Sequence, residues 1–177
     1  MTLPAAHRIP PHSRGGRFRD AEPGGGVEPA TTAHLIRYDA GSEFAPDDPF
    51  GRTVLVLERS GAARLGNWRL GRSRAWAGRL DGRVFEAVLS HLSAGGFPER
   101  RPAAILPGAA HFTLTVEADP PQSVLDSLYT DNAGYRNALV LLNGVVRQLS
   151  GDAIPVGPPP AEALVHDPRT IDIGDLT

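Results

Sequence analysis

The side chains best suited to bind a ligand lie in a short segment rich in arginine and tryptophan. In a strand running from Leu70 to Leu80, Arg72, Arg74 and Trp76 share one face because successive side chains alternate. Two guanidinium groups beside an indole ring can stack on a base and grip a phosphate, or form the centre of a protein interface. Alternatively, the tryptophans are core residues covered by arginine stems whose charges reach solvent. The candidate partner-binding residues are Arg69, Arg72, Arg74, Trp68, Trp76 and Arg79.

The end of the chain is a second candidate site. Apolar residues follow a proline-rich spacer there, and they are typical of anchors that dock into a groove on another molecule. The candidate docking residues are Ile171, Ile173, Gly174 and Leu176. Ile-Asp-Ile-Gly-Asp-Leu resembles the apolar-x-apolar-Gly-Ser-Leu pattern of encapsulin cargo-loading peptides, with Asp175 where that pattern has Ser. The resemblance implies a cargo protein targeted to a shell. The alternative is that the tail folds back and adds a strand to its own sheet.

Histidines and carboxylates give few catalytic arrangements. None of the six histidines has a metal-binding His-x-x-x-His spacing, and a site formed by His34, His111 and a carboxylate would require adjacent strands. We expect His91 to be a surface or partly buried residue of a helix. Glu117 and Asp119 lie two apart on one strand, which allows a general acid/base pair but is also common on solvated strands.

Several chemistries are excluded by composition. The chain has no cysteine and no lysine, so thiolate ligands, cysteine nucleophiles, Schiff-base lysines and P-loop lysines are all absent. Gly-x-Ser-x-Gly and glycine-rich phosphate-binding motifs are also missing. We therefore expect no cofactor and no metal, and an enzymatic role is less favoured than a binding role.

The candidate residues require a sheet to position them. Alternating or β-branched apolar segments predict strands at 34–38, 53–59 and 111–119, with one or two more between 63 and 80. A further strand is favoured over a helix at 123–130. Each predicted helix has one apolar face, formed by Val84, Phe85, Val88, Leu89 and Leu92 in the first and by Tyr135, Ala138, Leu139, Leu142, Val146 and Leu149 in the second.

This order of elements predicts an α+β fold, an antiparallel sheet of four to six strands with two helices packed on one face. Asp81 is the expected N-cap of the first helix, Gly95 and Gly96 its end, and Asp131 with Asn132 the start of the second.

Glycine and proline together make up 37 of the 177 residues and are concentrated at the two ends. We therefore expect a disordered Pro/Gly/Arg-rich extension at 1–32, a single domain at 33–151, and a Pro-rich spacer with an acidic tail at 152–177. No signal peptide or membrane-spanning segment is predicted, so a cytoplasmic location is expected.

The order of core elements resembles that of small proteinaceous metalloprotease inhibitors of the emfourin type. The points of similarity are an early hairpin, a helix ending before Phe97-Pro98, the strand from Phe112 to Ala118, and a terminal helix. The resemblance implies an inhibitory or other binding role. The leading hypothesis is a non-catalytic protein-binding module, inhibitor, immunity or adaptor-like, with a protein partner. The alternatives are a shell-targeted cargo protein, or a nucleic-acid-binding protein or small hydrolase that uses the basic surface.

Overall fold

The part of the chain that the structure describes forms seven strands and two helices. The structure is a computed structural model and describes residues 33–44, 48–99, 110–157, 164–171 and 173. The elements are β1 (Leu35–Ala40), β2 (Arg52–Glu58), β3 (Ala62–Arg69), β4 (Arg72–Leu80), α1 (Gly82–Ala94), β5 (His111–Glu117), β6 (Gln122–Ser127), α2 (Ala133–Leu149) and β7 (Leu164–Thr170).

All seven strands form one antiparallel sheet in the order β6-β5-β1-β2-β3-β4-β7. The predicted α+β class is confirmed, and the strand count exceeds the predicted four to six. The additional strand is β7, which lies in the segment 152–177 and pairs with β4 at one edge of the sheet. The predicted 1–32 extension lies outside the described residues.

The two faces of the sheet carry different side chains because the strand residues alternate. The inner face packs against both helices and forms the main core, which includes Leu55, Leu65, Val88 of α1 and Leu142 of α2. Each of these fully buried side chains contributes about 1.5–3 kcal/mol of burial free energy. The outer face carries a smaller cluster of Val54, Val56 and Ala75, with Leu35, Trp68, Ile171 and Ile173 packed around it.

The helix ends follow the predicted capping residues. The carboxylate of Asp81 accepts the backbone N–H of Arg83 at the start of α1, and the bonds from Arg83 lower the pKa of Asp81. Asn132 caps α2 by accepting from the N–H of Tyr135, and its side-chain amide donates to the carbonyl of Gly95 at the end of α1. Asn132 therefore joins the two helices over the sheet.

Neither described helix is long and apolar enough to cross a membrane.

Candidate binding site

Four of the six predicted partner-binding residues line one cleft. In the register of β3 and β4, Arg69 lies opposite Arg72, and Leu65 lies opposite Trp76. Leu65 belongs to the main core, so Trp76 lies on the inner face. Arg72 and Arg74 lie on the same face, because they are four and two residues from Trp76 along the strand. Arg69, Arg72, Arg74 and Trp76 border a cleft of about 360 Å³. The cleft is the candidate site, and we call it the Arg/Trp cleft.

The opposite wall of the Arg/Trp cleft is formed by the segment after α2. Ala153, Ile154 and Pro155 line the cleft there, and the Ile154 side chain is buried. The N–H of Ile154 donates to the hydroxyl of Ser150, 3.0 Å away, and Arg147 forms an ion pair with Asp152. These bonds fix the chain where it leaves α2, so the wall is part of the folded domain.

The loop before β2 forms the third side of the cleft. Asp48 accepts from the N–H groups of Phe50 and Gly51, at 2.9 and 3.1 Å, which is the hydrogen-bonding pattern of a turn that begins at Asp48. The side-chain amide of Asn67 donates to the carbonyl of Phe50 at 2.7 Å. Gly51 has a φ of 70°, and a Cβ there would lie 2.4 Å from the carbonyl oxygen of Trp68. The loop is therefore held tightly against β3.

The three guanidinium groups of the cleft have no carboxylate partner among the described residues, unlike most other described arginines. Arg69, Arg72 and Arg74 form no ion pair with any described residue, and no acidic residue is among the described residues that line the cleft. Elsewhere in the domain, side-chain ion pairs are formed by Arg37, Arg52, Arg59, Arg64, Arg83 and Arg147. The cleft is thus a local concentration of positive charge facing solvent.

The residues at the tip of the β3–β4 hairpin are not the types that best stabilise such a turn. Leu70 and Gly71 both have positive φ, 48° and 75°, which is the pattern of a type I′ turn. Asparagine or glycine suits the first position of such a turn, and leucine there costs about 1–2 kcal/mol. On either side of the turn, Arg69 and Arg72 are directly opposite each other, and like charges in that arrangement destabilise the pair.

Exposed apolar side chains surround the same hairpin tip. Phe44 is 72% exposed, Leu70 58% and Phe50 38%. The N–H of Leu70 donates to the carbonyl of Glu43 at 3.0 Å, which brings the turn containing Phe44 beside the hairpin. Sequence reasoning missed these residues. The available signal was Leu70-Gly71 itself, a two-residue turn between two strands with an apolar residue at its tip.

The other two predicted partner-binding residues lie away from the cleft. Trp68 is opposite Arg52 and packs with the outer-face cluster, with the Arg52 guanidinium carbon 5.8 Å from the ring centroid. Hydrogen bonding to Asp39 raises the pKa of Arg52. Arg79 is near the far end of β4, opposite Ala62, and donates to the carbonyl of Ser60.

The described tail residues contact their own domain. Strand β7 pairs with β4, and the N–H of Ile171 donates to the carbonyl of Ala75 at 3.1 Å. Ile171 and Ile173 are partly buried against the outer-face cluster. Gly174 and Leu176, the other two predicted docking residues, lie outside the described residues. The described part of the tail therefore adds a strand to an edge of its own sheet.

The histidines whose side chains are described, His34, His91 and His111, do not converge. His34 lies 3.5 Å from Glu117 on the surface, with side chains 67% and 48% exposed. His111 starts β5, whereas His34 adjoins the other end of the β1–β5 pair, about 20 Å away at about 3.3 Å per residue. His91 lies in the last turn of α1. Within the described ranges, no group of three or more His, Asp or Glu side chains is placed to hold a metal ion.

The chain has no match among protein-family models, and its sequence matches no curated protein significantly.

Proposed function

We propose that this protein is a non-catalytic protein-binding module, inhibitor, immunity or adaptor-like, that binds a protein partner through the Arg/Trp cleft. The observation that carries the proposal is the convergence of Arg69, Arg72 and Arg74 on one cleft without a carboxylate from the described residues. A charged group without a partner is an available contact for a ligand of opposite charge.

Residues at the hairpin tip that lower the stability of the fold support a binding role. Leu70 in a left-handed conformation and Arg69 opposite Arg72 both lower the stability of the folded chain. Departures from local preference of this kind are expected at functional sites, where selection acts on something other than stability. Two such departures on adjacent residues of one turn favour a binding surface over a purely structural hairpin.

A protein partner is favoured over a nucleic acid by the apolar rim. Phe44 and Leu70 are exposed beside the cleft, and aromatic and arginine side chains together are typical of the centres of protein interfaces. The net charge of −2 gives no general attraction to a polyanion. The cleft is therefore better suited to a protein surface with acidic and apolar groups.

A catalytic role receives less support from the side chains that line the cleft. The described lining consists of arginine, asparagine, tryptophan, phenylalanine, alanine, isoleucine and proline residues. None of these side chains is an ordinary nucleophile or a general base at neutral pH. Tail docking is also less supported, because the anchors Ile171 and Ile173 are partly buried on the chain's own sheet.

The test is affinity capture from the native cell extract with the full chain immobilised. The cleft variant Arg72→Glu/Arg74→Glu is compared with wild type and with a charge-matched control, Arg136→Glu/Arg169→Glu, which changes two exposed arginines outside the cleft. We expect wild type and the control to retain a protein, before and after nuclease treatment, that the cleft variant loses. Equal retention by all three, or retention that nuclease abolishes, would contradict the proposal.

A further inference from the structure

We infer that the partner presents an extended acidic segment, which lies along residues 72–74 of β4, where no described strand pairs with the outer edge, and places two carboxylates, two residues apart, against Arg72 and Arg74. The inference rests on the proposed function and specifies the chemistry of the partner.

Among the described residues, the pairing of β4 with β7 stops before the start of β4. Paired residues run from Leu80 to Trp76, opposite Leu164 to Thr170, and the bond from Ile171 to Ala75 is the last between the two strands among the described residues. Residues 72–74 of β4 continue past this point while remaining paired with β3 on the other side. An unpaired strand edge is a template for a further extended chain.

Two cavities border this edge of β4 in the part of the chain that the structure describes. The Arg/Trp cleft lies on the inner face, and a second cavity of about 590 Å³ includes Arg74 and Trp76 together with Ile171 and Ile173. The two cavities thus meet along the edge of β4. An extended segment has side chains on both faces, so a space that surrounds the edge fits such a segment better than a compact ligand.

The spacing of the charges specifies the sequence of the segment. Arg72 and Arg74 project to the same face, two residues apart, at about 6.6 Å along the strand. In a neighbouring extended chain, residues two apart have the same spacing, so two carboxylates separated by one residue match the two guanidinium groups. Trp76, Ile154 and Pro155 provide an apolar surface next to these charges. The expected pattern is acidic-x-acidic with an apolar residue close by.

The test uses short fluorescent peptides and the full chain. The probe has two glutamates separated by one valine, with a leucine two positions beyond, and the matched control has glutamines in place of the glutamates. We expect fluorescence anisotropy to show binding of the glutamate peptide at least about tenfold tighter than the glutamine peptide. The affinity falls with added salt, since the contacts are ionic. Arg72→Gln/Arg74→Gln loses the preference, and Arg136→Gln/Arg169→Gln keeps it.

Each other outcome overturns the inference in a distinct way. Equal binding of the two peptides contradicts an acidic partner segment. If a protein is still captured through the cleft in that case, the proposed function is retained. Tighter binding of a single-stranded oligonucleotide than of the glutamate peptide contradicts both. Peptide binding that appears only after Asp172→Asn/Asp175→Asn makes the chain's own end the occupant of the edge. No binding of any probe together with no cleft-dependent capture rejects both proposals.

Discussion

Two arginine and tryptophan groups lie at the same end of the sheet, on opposite faces of neighbouring strands. On the outer face, Arg52 donates to both carboxylate oxygens of Asp39, at 3.0 and 2.7 Å, and lies over the ring of Trp68. On the inner face, Arg72 and Arg74 share a strand face with Trp76, and neither forms an ion pair with a described carboxylate. The residue types are the same, and the presence of Asp39 distinguishes the two groups.

The difference separates a structural role from a binding role. A guanidinium group with a two-point carboxylate contact and an aromatic neighbour has its interactions satisfied within the fold. A group of arginines without such contacts contributes little to the stability of the folded state and remains available to a partner. The outer-face group is therefore expected to govern stability, and the inner-face group is expected to govern binding.

The largest expected effect is the loss of binding in Arg72→Glu/Arg74→Glu. Each charge-assisted contact accounts for about a tenfold change in affinity, so affinity for the captured partner falls by about 100-fold. The free energy of unfolding does not fall, because no ion pair with a described residue is broken. Affinity is measured by titration of the captured protein and stability by urea denaturation. A loss of stability equal to that of a core mutation, about 2–5 kcal/mol, would show that the cleft arginines are structural.

The opposite result is expected for Arg52→Ala. Removing the contacts with Asp39 and Trp68 lowers the free energy of unfolding by about 1–2 kcal/mol, and partner affinity is unchanged. Asp39→Ala gives a similar loss, and the double variant loses less than the sum because both changes remove one shared interaction. Urea denaturation of the four proteins measures this coupling. Strict additivity would mean that the pair is not coupled, and a loss of partner affinity would extend the binding surface to the outer face.

A smaller effect on stability is expected from a substitution in the turn between β3 and β4. Leu70→Asn places a residue suited to positive φ at the tip, and we expect the free energy of unfolding to rise by about 1 kcal/mol while partner affinity falls. Leu125, 48% exposed on the edge strand β6, provides the control, since Leu125→Asn removes an exposed leucine without relieving a left-handed conformation. Thermal denaturation and titration measure the two quantities. Lower stability of Leu70→Asn would show that the leucine side chain supports the fold.

Much of the fold was predictable because its signals are local. The alternation at 111–119, the single apolar faces of the helices, and the caps Asp81 and Asn132 all depend on residues close in sequence. The shared face of Arg72, Arg74 and Trp76 follows from the same alternation. Strand β7 was placed by its pairing with β4, a contact between distant residues that a short proline-flanked segment does not specify.

The candidate site was predictable only in part. Trp68 and Trp76 lie on opposite faces because the two-residue turn at Leu70-Gly71 sets the register of β3 against β4, and the boundary between those strands was not fixed by the sequence pattern. Phe50 and Ile154 reach the cleft from a loop and from the segment after α2. Their placement depends on tertiary hydrogen bonds from Asn67 and to Ser150, and no periodicity in the sequence encodes these bonds.

The claim that separates the two arginine groups, that the cleft arginines do not stabilise the fold, is tested most directly by the unfolding free energy of the single variant Arg72→Glu. The substitution replaces a repulsive cross-strand pair with an attractive one, Glu opposite Arg69. Urea denaturation is predicted to show a free energy of unfolding equal to wild type or higher by about 0.5 kcal/mol. A decrease of about 1 kcal/mol or more, like that expected for Arg52→Ala, would contradict the account, because it would mean that Arg72 stabilises the fold.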